Sequence, residues 1–226
     1  MGNAISLILP YAVGVAISPV PIIAVILVLF SSRARINGPC FLAGWIVGVG
    51  VVSVVAYLVS DAANVATDSG ASDSSHTIKL VLGLLFLFLA VKQWRSRPQP
   101  GQPTAAPPKW MASIDTLSPP KAGGLALLLS AVNPKNLVLS IGAGVSVAQS
   151  GASGGDAAAG LIAFIVLASA SIAVPVIAYL VGGDKAEHML EGWKGWLGEN
   201  DATVMAVLFV VFGFVLVSQG LGGLTD

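Results

Sequence analysis

The chain has 226 residues, of which 55% are hydrophobic and 10% charged, with equal numbers of acidic and basic side chains and a mean hydropathy of +0.87. Soluble domains carry about a quarter charged residues, so the composition excludes a soluble globular protein and points to a membrane protein. A single cysteine, Cys40, excludes a disulfide or a dithiol redox pair within one copy, and no basic cluster suggests nucleic acid.

Apolar runs of spanning length, about 20 residues, occur at 4–30, 41–60, about 77–94, 122–149, 157–183 and 202–224. They predict an all-α membrane protein of six transmembrane helices. No Lys or Arg precedes Arg33, so the first run lacks the basic start of a cleaved signal peptide and reads as a retained helix. In that run 16-AISPVP-21 places Ser18 before Pro19 and a second proline at Pro21. Arg33 and Arg35 follow it.

The second run contains Gly44-Trp45-Ile46-Val47-Gly48, a G-x-x-x-G that permits close helix approach within or between protomers. The connection after it, 61–76, is rich in Asp, Ser and Gly. Lys79 and Lys92 flank the third run and can snorkel to the two interfaces. Next come 98-PQPGQPTAAPP-108, a semi-rigid proline-rich linker, and a segment with Trp110, Met111, Ile114 and Leu117 at helical spacing. A similar amphipathic set, Met189, Leu190, Trp193, Trp196 and Leu197, precedes the sixth run. Both are expected to lie as short helices at the membrane interface.

The fourth run holds 131-AVNPKN-136. Asn133 and Ser18 are good N-cap residues, and the prolines that follow them suit the first helical position. Each pair is expected to end one half-helix and begin another. A half-helix start presents unpaired N–H groups and a partial positive charge, to which Lys135 adds a full one. The expected site is therefore an anion-attracting pocket lined by Ser18, Pro19, Pro21, Asn133, Pro134, Lys135 and Asn136, with Ser130 and Ser140 as further hydrogen-bonding groups. Two structural alternatives stand beside it: ordinary proline kinks, and a lysine bonded to backbone carbonyls.

The two halves look alike. Val52–Val59 matches Val174–Val181 at six of eight positions, and 84-LLFLFLAVKQ-93 matches 210-VVFGFVLVSQ-219 at Phe86/Phe212, Phe88/Phe214, Val91/Val217 and Gln93/Gln219. The pairs fall in the same order as the two proline breaks. Three helices per half is odd, so the halves form a 3+3 inverted repeat, as in many secondary transporters. The division expected is 1–95 and 121–226 for the repeats, with 96–120 between them.

Arg33, Arg35, Lys92, Arg95, Arg97, Lys109, Lys121, Lys185 and Lys194 fall on one side of a six-span topology. By the positive-inside rule both termini then face away from the cytoplasm. No Asp, Glu or His lies inside an apolar run, which argues against a buried proton relay or an acidic metal cage. There is also no nucleophile–base pair or nucleotide loop. No cofactor is expected, and the chain does not read as an enzyme.

Together, 131-AVNPKN-136, 108-PKWMASIDTLSPPKAGGLALLLS-130 and 17-ISPVPIIAVILVLFSSRAR-35 resemble the peptidoglycolipid-addressing protein family of the lysine exporter superfamily. The resemblance implies a bacterial inner-membrane protein that exports an anionic lipid, glycolipid or acyl-bearing metabolite to the envelope. It also implies membrane lipids, lipid-synthesis or export proteins and a second copy of the chain as partners. A small-solute exporter of the amino-acid type and a scaffold for envelope-lipid synthesis are the alternatives.

Overall fold

The computed structural model describes residues 2–66, 73–97, 114, 116–152 and 154–222. Within them the chain is helical, with eight α-helices and no strand. They are α1 (Gly2–Ala16), α2 (Pro19–Leu29), α3 (Ala34–Ala66), α4 (Asp73–Arg95), α5 (Pro119–Ala131), α6 (Pro134–Gln149), α7 (Gly155–Gly182) and α8 (Asp184–Gly222).

The first and fourth apolar runs are both broken where Ser-Pro and Asn-Pro predict it. The bend between α1 and α2 is 56°, and that between α5 and α6 is 67°. Among the described residues, α3, α7 and α8 are long and apolar enough to cross a membrane, and counting each bent pair as one span raises the number to five. α4 occupies the place of the expected third span. The expected interfacial helix before the last span is instead the beginning of α8, which runs from Asp184 to Gly222 as one helix. No proline lies between Leu197 and Ala202 to stop it. Only Gly183 separates α7 from α8, with φ +52 and ψ −139, a backbone conformation that a Cβ would strain.

The helices cluster into two compact units, each built from pieces of both sequence halves. The larger comprises residues 1–61 and 106–198. In it α1 packs on α6 and α7, and α2 on α5 and α7. α3 lies against α5 and α6 at glycine contacts: a Cβ on Gly44 would stand 2.1 Å from the Gly123 carbonyl oxygen, and one on Gly144 2.2 Å from that of Ser53. The G-x-x-x-G of α3 is therefore used inside the chain, Gly44 against Gly123 and Gly48 against Ser130. Phe41, Trp45, Val49 and Ser53 form the fully buried stripe of α3.

One end of this unit gathers the basic connections. Asn37 Nδ2, near the start of α3, donates to the Leu117 carbonyl at 3.0 Å, just before α5. The Lys194 ammonium of α8 sits 5.2 Å over the Phe30 ring at the end of α2. Arg33, Arg35 and Lys121 are exposed there. Trp110 and Met111 of the first expected interfacial segment lie outside the described residues, as does the 98–108 linker. Ile114 is buried in protein rather than facing headgroups. In the start of α8, Ala186 and Leu190 are buried while Met189, Trp193 and Trp196 are exposed.

The smaller unit comprises residues 62–105 and 199–226. There α4 meets the last part of α8: a Cβ on Gly83 would lie 2.7 Å from Val217 N, and one on Gly213 2.7 Å from the Leu87 side chain. Phe86 and Phe209 pack with ring centroids 5.4 Å apart. Leu87 and Gly213 occupy equivalent places in the sequence alignment of the halves, and here they touch.

Candidate functional site

Each break frees backbone groups that lipid cannot satisfy. Pro19 and Pro134 cannot donate into the preceding turn, so the carbonyls ending α1 and α5 lose their helical partners. Asn133, Lys135 and Asn136 replace much of what is lost.

Lys135 lies in the first turn of α6 and is 5% exposed. Its ammonium donates to the carbonyls of Gly14 and Ile17, both at 2.8 Å. These carbonyls end α1, the negative pole of that helix, so a cation is favoured there. Insertion scales put a central lysine at about 2.5–3.5 kcal/mol, and the two bonds offset part of that cost. The expectation that Lys135 faces the bundle interior holds, and its contacts are those of the carbonyl-bonded alternative.

Asn136 performs the same task at the other break. It is fully buried, and its Nδ2 donates to the Leu129 carbonyl at 3.0 Å while its Oδ1 accepts from Ser18 Oγ at 2.9 Å. A carbonyl can only accept, so the amide orientation is fixed by Leu129. The Ser18–Asn136 bond ties the two breaks directly to each other.

The caps differ from expectation at one position. Asn133 Oδ1 accepts from the Lys135 backbone N–H at 3.1 Å, as an N-cap should. Ser18 has extended N-cap geometry, but its hydroxyl makes no cap bond because it is turned to Asn136.

The free-donor inventory is also narrower than two open helix starts suggest. Pro19 and Pro21 have no N–H, which leaves Val20 as the donor of the first three positions of α2. On α6 Pro134 has no N–H and the Lys135 N–H is already taken by Asn133, which leaves Asn136 as the donor of its first three positions. The positive field at the breaks is therefore carried mainly by the Lys135 ammonium. Pro19 and Pro21 are buried and shape the break; the structure brings Ser18, Asn133, Lys135 and Asn136 together through hydrogen bonds.

Sequence reasoning named Ser130 and Ser140 as further partners. Ser130 Oγ donates to its own helix at the Leu127 carbonyl, 3.0 Å away. Ser140 is fully buried on the same face of α6 as Asn136, one turn on, and its hydroxyl has no partner. Ser169 of α7 and the Trp45 indole N–H of α3 are likewise buried and unpartnered. The sequence set Trp45 inside the G-x-x-x-G and Ser169 near Pro175 but did not mark either as lacking a partner, since a serine or tryptophan in an apolar helix is unremarkable until its neighbours are known.

Against known families, one match covers residues 8–222, the family described as Sap, sulfolipid-1-addressing protein. No curated protein and no solved structure matches the chain.

Proposed function

The chain belongs to the sulfolipid-1-addressing protein family, and on that premise we propose that it is an exporter that moves an anionic lipid, glycolipid or acyl-bearing metabolite outward across the inner membrane. The observation that carries the reading is the buried Lys135 ammonium at the junction of two broken helices, met by the carbonyl dipoles of Gly14 and Ile17. An anionic head group is a stronger partner for an ammonium than a neutral carbonyl is. Its arrival exchanges one set of bonds for the other and releases the end of α1 from the start of α6. Binding energy is thereby coupled to movement at the break, since a ligand shifts a conformational equilibrium only by its differential affinity for the two states.

The six-span, 3+3 inverted arrangement belongs to this proposal, as does kinship with the lysine exporter superfamily and its peptidoglycolipid-addressing branch. Matching breaks in α1–α2 and α5–α6 support it, as do the crossed packing of α1–α2 on α7 and α5–α6 on α3 and the meeting of Leu87 with Gly213. Basic residues gathered at one end of the larger unit support a cytoplasmic assignment for that end and extracytoplasmic termini. A homodimer and association with lipid-synthesis or export proteins complete the proposal; an amino-acid-type exporter is disfavoured by the lack of an acidic residue inside the spans to meet a substrate ammonium.

The same two lysine bonds favour one other reading, a scaffold for envelope-lipid synthesis in which Lys135 is structural glue. Export from reconstituted vesicles decides between them. In the exporter, Lys135→Met removes outward movement of a labelled anionic lipid while the protein stays folded, and deleting 98–108 leaves movement intact. Absence of movement by the wild-type protein would sink the exporter reading, and undiminished movement in Lys135→Met protein would remove Lys135 from it.

A further inference from the structure

Buried serines in this protein have a default. Ser31, Ser53 and Ser130 each donate to the carbonyl three residues back, at 2.7, 3.2 and 3.0 Å, as does the half-buried Ser150 at 2.7 Å, while Ser18 is partnered by Asn136. That bond is open to almost any helical serine by rotation about χ1, and in an apolar interior it removes the penalty of an unsatisfied hydroxyl. Ser140 and Ser169 depart from it. Both are buried, at 0% and 4% exposure, and neither hydroxyl has a partner.

Their places are not arbitrary. Ser140 follows Asn136 by four residues, so it stands one turn further along the same buried face of α6. Asn136 is itself bonded to Ser18 across the breaks. Ser169 stands at the middle of α7, the depth at which a spanning helix meets the midplane, and α7 packs against both α1 and α6. Two buried serines, Ser140 and Ser169, therefore stand unsatisfied on the helices that surround the breaks, with the hydroxyl of the half-buried Ser171 unpartnered two residues further along α7. An unsatisfied buried polar group in a native structure needs a physical reason, and the intrahelical bond these serines forgo leaves their hydroxyls available to a partner from outside the chain.

We infer that Ser140 and Ser169 form a neutral subsite beside Lys135 that hydrogen-bonds the uncharged polar part of the ligand, a hydroxyl or amide adjoining its anionic group. This rests on the exporter reading and deepens it: Lys135 holds the charge, and the two serines select what is attached to the charge. A ligand lacking such a group binds through Lys135 alone and leaves both hydroxyls unsatisfied, which is how buried polar groups discriminate against an analogue.

The test uses the full chain in detergent and measures thermal stabilisation by two lipids with the same acyl chains, phosphatidic acid and phosphatidylinositol. The first offers the anionic group alone, the second the anionic group with hydroxyls. Wild type is expected to respond to both and about tenfold more tightly to phosphatidylinositol. The double variant Ser140→Ala/Ser169→Ala, without lipid, should be at least as stable as wild type, because two unsatisfied hydroxyls are gone. It should keep the phosphatidic acid response and lose the extra response to phosphatidylinositol. If wild type treats the two lipids alike, or the double variant keeps the preference, the inference is overturned. Lys135→Met separates the two ideas: loss of both lipid responses upholds the exporter reading, and unchanged responses overturn that reading on its own ground, whatever the serine pair shows.

Discussion

Asn136 uses both ends of its amide, accepting from Ser18 and donating to Leu129, while fully buried. Asn136→Leu removes both bonds and leaves the Leu129 carbonyl unsatisfied. The expected loss is about 1–3 kcal/mol, read as a lower thermal midpoint in detergent. Lys135→Met behaves differently because two terms oppose. Removing the ammonium strands the Gly14 and Ile17 carbonyls at about 1–3 kcal/mol each, yet it also removes a buried charge costing about 2.5–3.5 kcal/mol. The net change in stability is expected to stay within about 3 kcal/mol, and anion-dependent export should fall at least about tenfold, a tenfold loss being 1.36 kcal/mol of barrier. A variant that is badly unfolded would show that the carbonyl bonds dominate, which is the scaffold's signature. At this scale the sequence was informative about identity and silent about partners. Ser18, Asn133, Lys135 and Asn136 were legible because proline, amide and ammonium are costly in an apolar run. That Ser18 serves Asn136 rather than its own helix was not legible, since the bond joins residues 118 apart.

Helix contacts here are made where glycine removes a side chain. A Cβ on Gly44 meets backbone of Gly123 at 2.1 Å, and backbone cannot rotate aside. Gly44→Ala must push α3 away from α5 and is expected to cost roughly 1–3 kcal/mol or more. Gly124, next to Gly123 in α5, has nothing within 4 Å of the same added atom. Gly124→Ala is expected to stabilise by about 0.5–1 kcal/mol through helix propensity alone. Urea or thermal unfolding of the two variants side by side checks the pair, and equal effects would contradict the packing. The breaks at Pro19 and Pro134 could be read in advance because proline acts locally. By contrast, the uninterrupted α8 could not be read, since Gly198-Glu199-Asn200-Asp201 resembles a loop by composition and becomes helical only with the residues on either side.

For the whole molecule, the exposed Arg33, Arg35 and Lys121 and the Lys194–Phe30 contact bring basic residues from distant connections to one end of the larger unit. Each positive charge held at that end favours the cytoplasmic side during insertion. An alkaline phosphatase domain fused after Asp226 is therefore expected to be active, and one inserted at residue 104 inactive, in bacterial cells. The opposite pattern would reverse the proposed direction of transport along with the topology. Because both compact units draw on both halves of the chain, neither half is expected to fold alone; expression of 1–95 without the remainder should yield aggregated or degraded protein.

The sequence by itself determined the membrane environment, the helical class, the positions of both breaks and the polar residues placed there. These follow from composition and from the local geometry of proline, which act over a few residues. Only the tertiary structure decided what those polar residues touch. It joins Lys135 to the end of α1 and Ser18 to Asn136, seats the α3 glycines on α5 and α6, and leaves Ser140 and Ser169 without partners. Hydrogen bonds and close packing between residues a hundred positions apart depend on how the helices are arranged, and no local rule reports that arrangement.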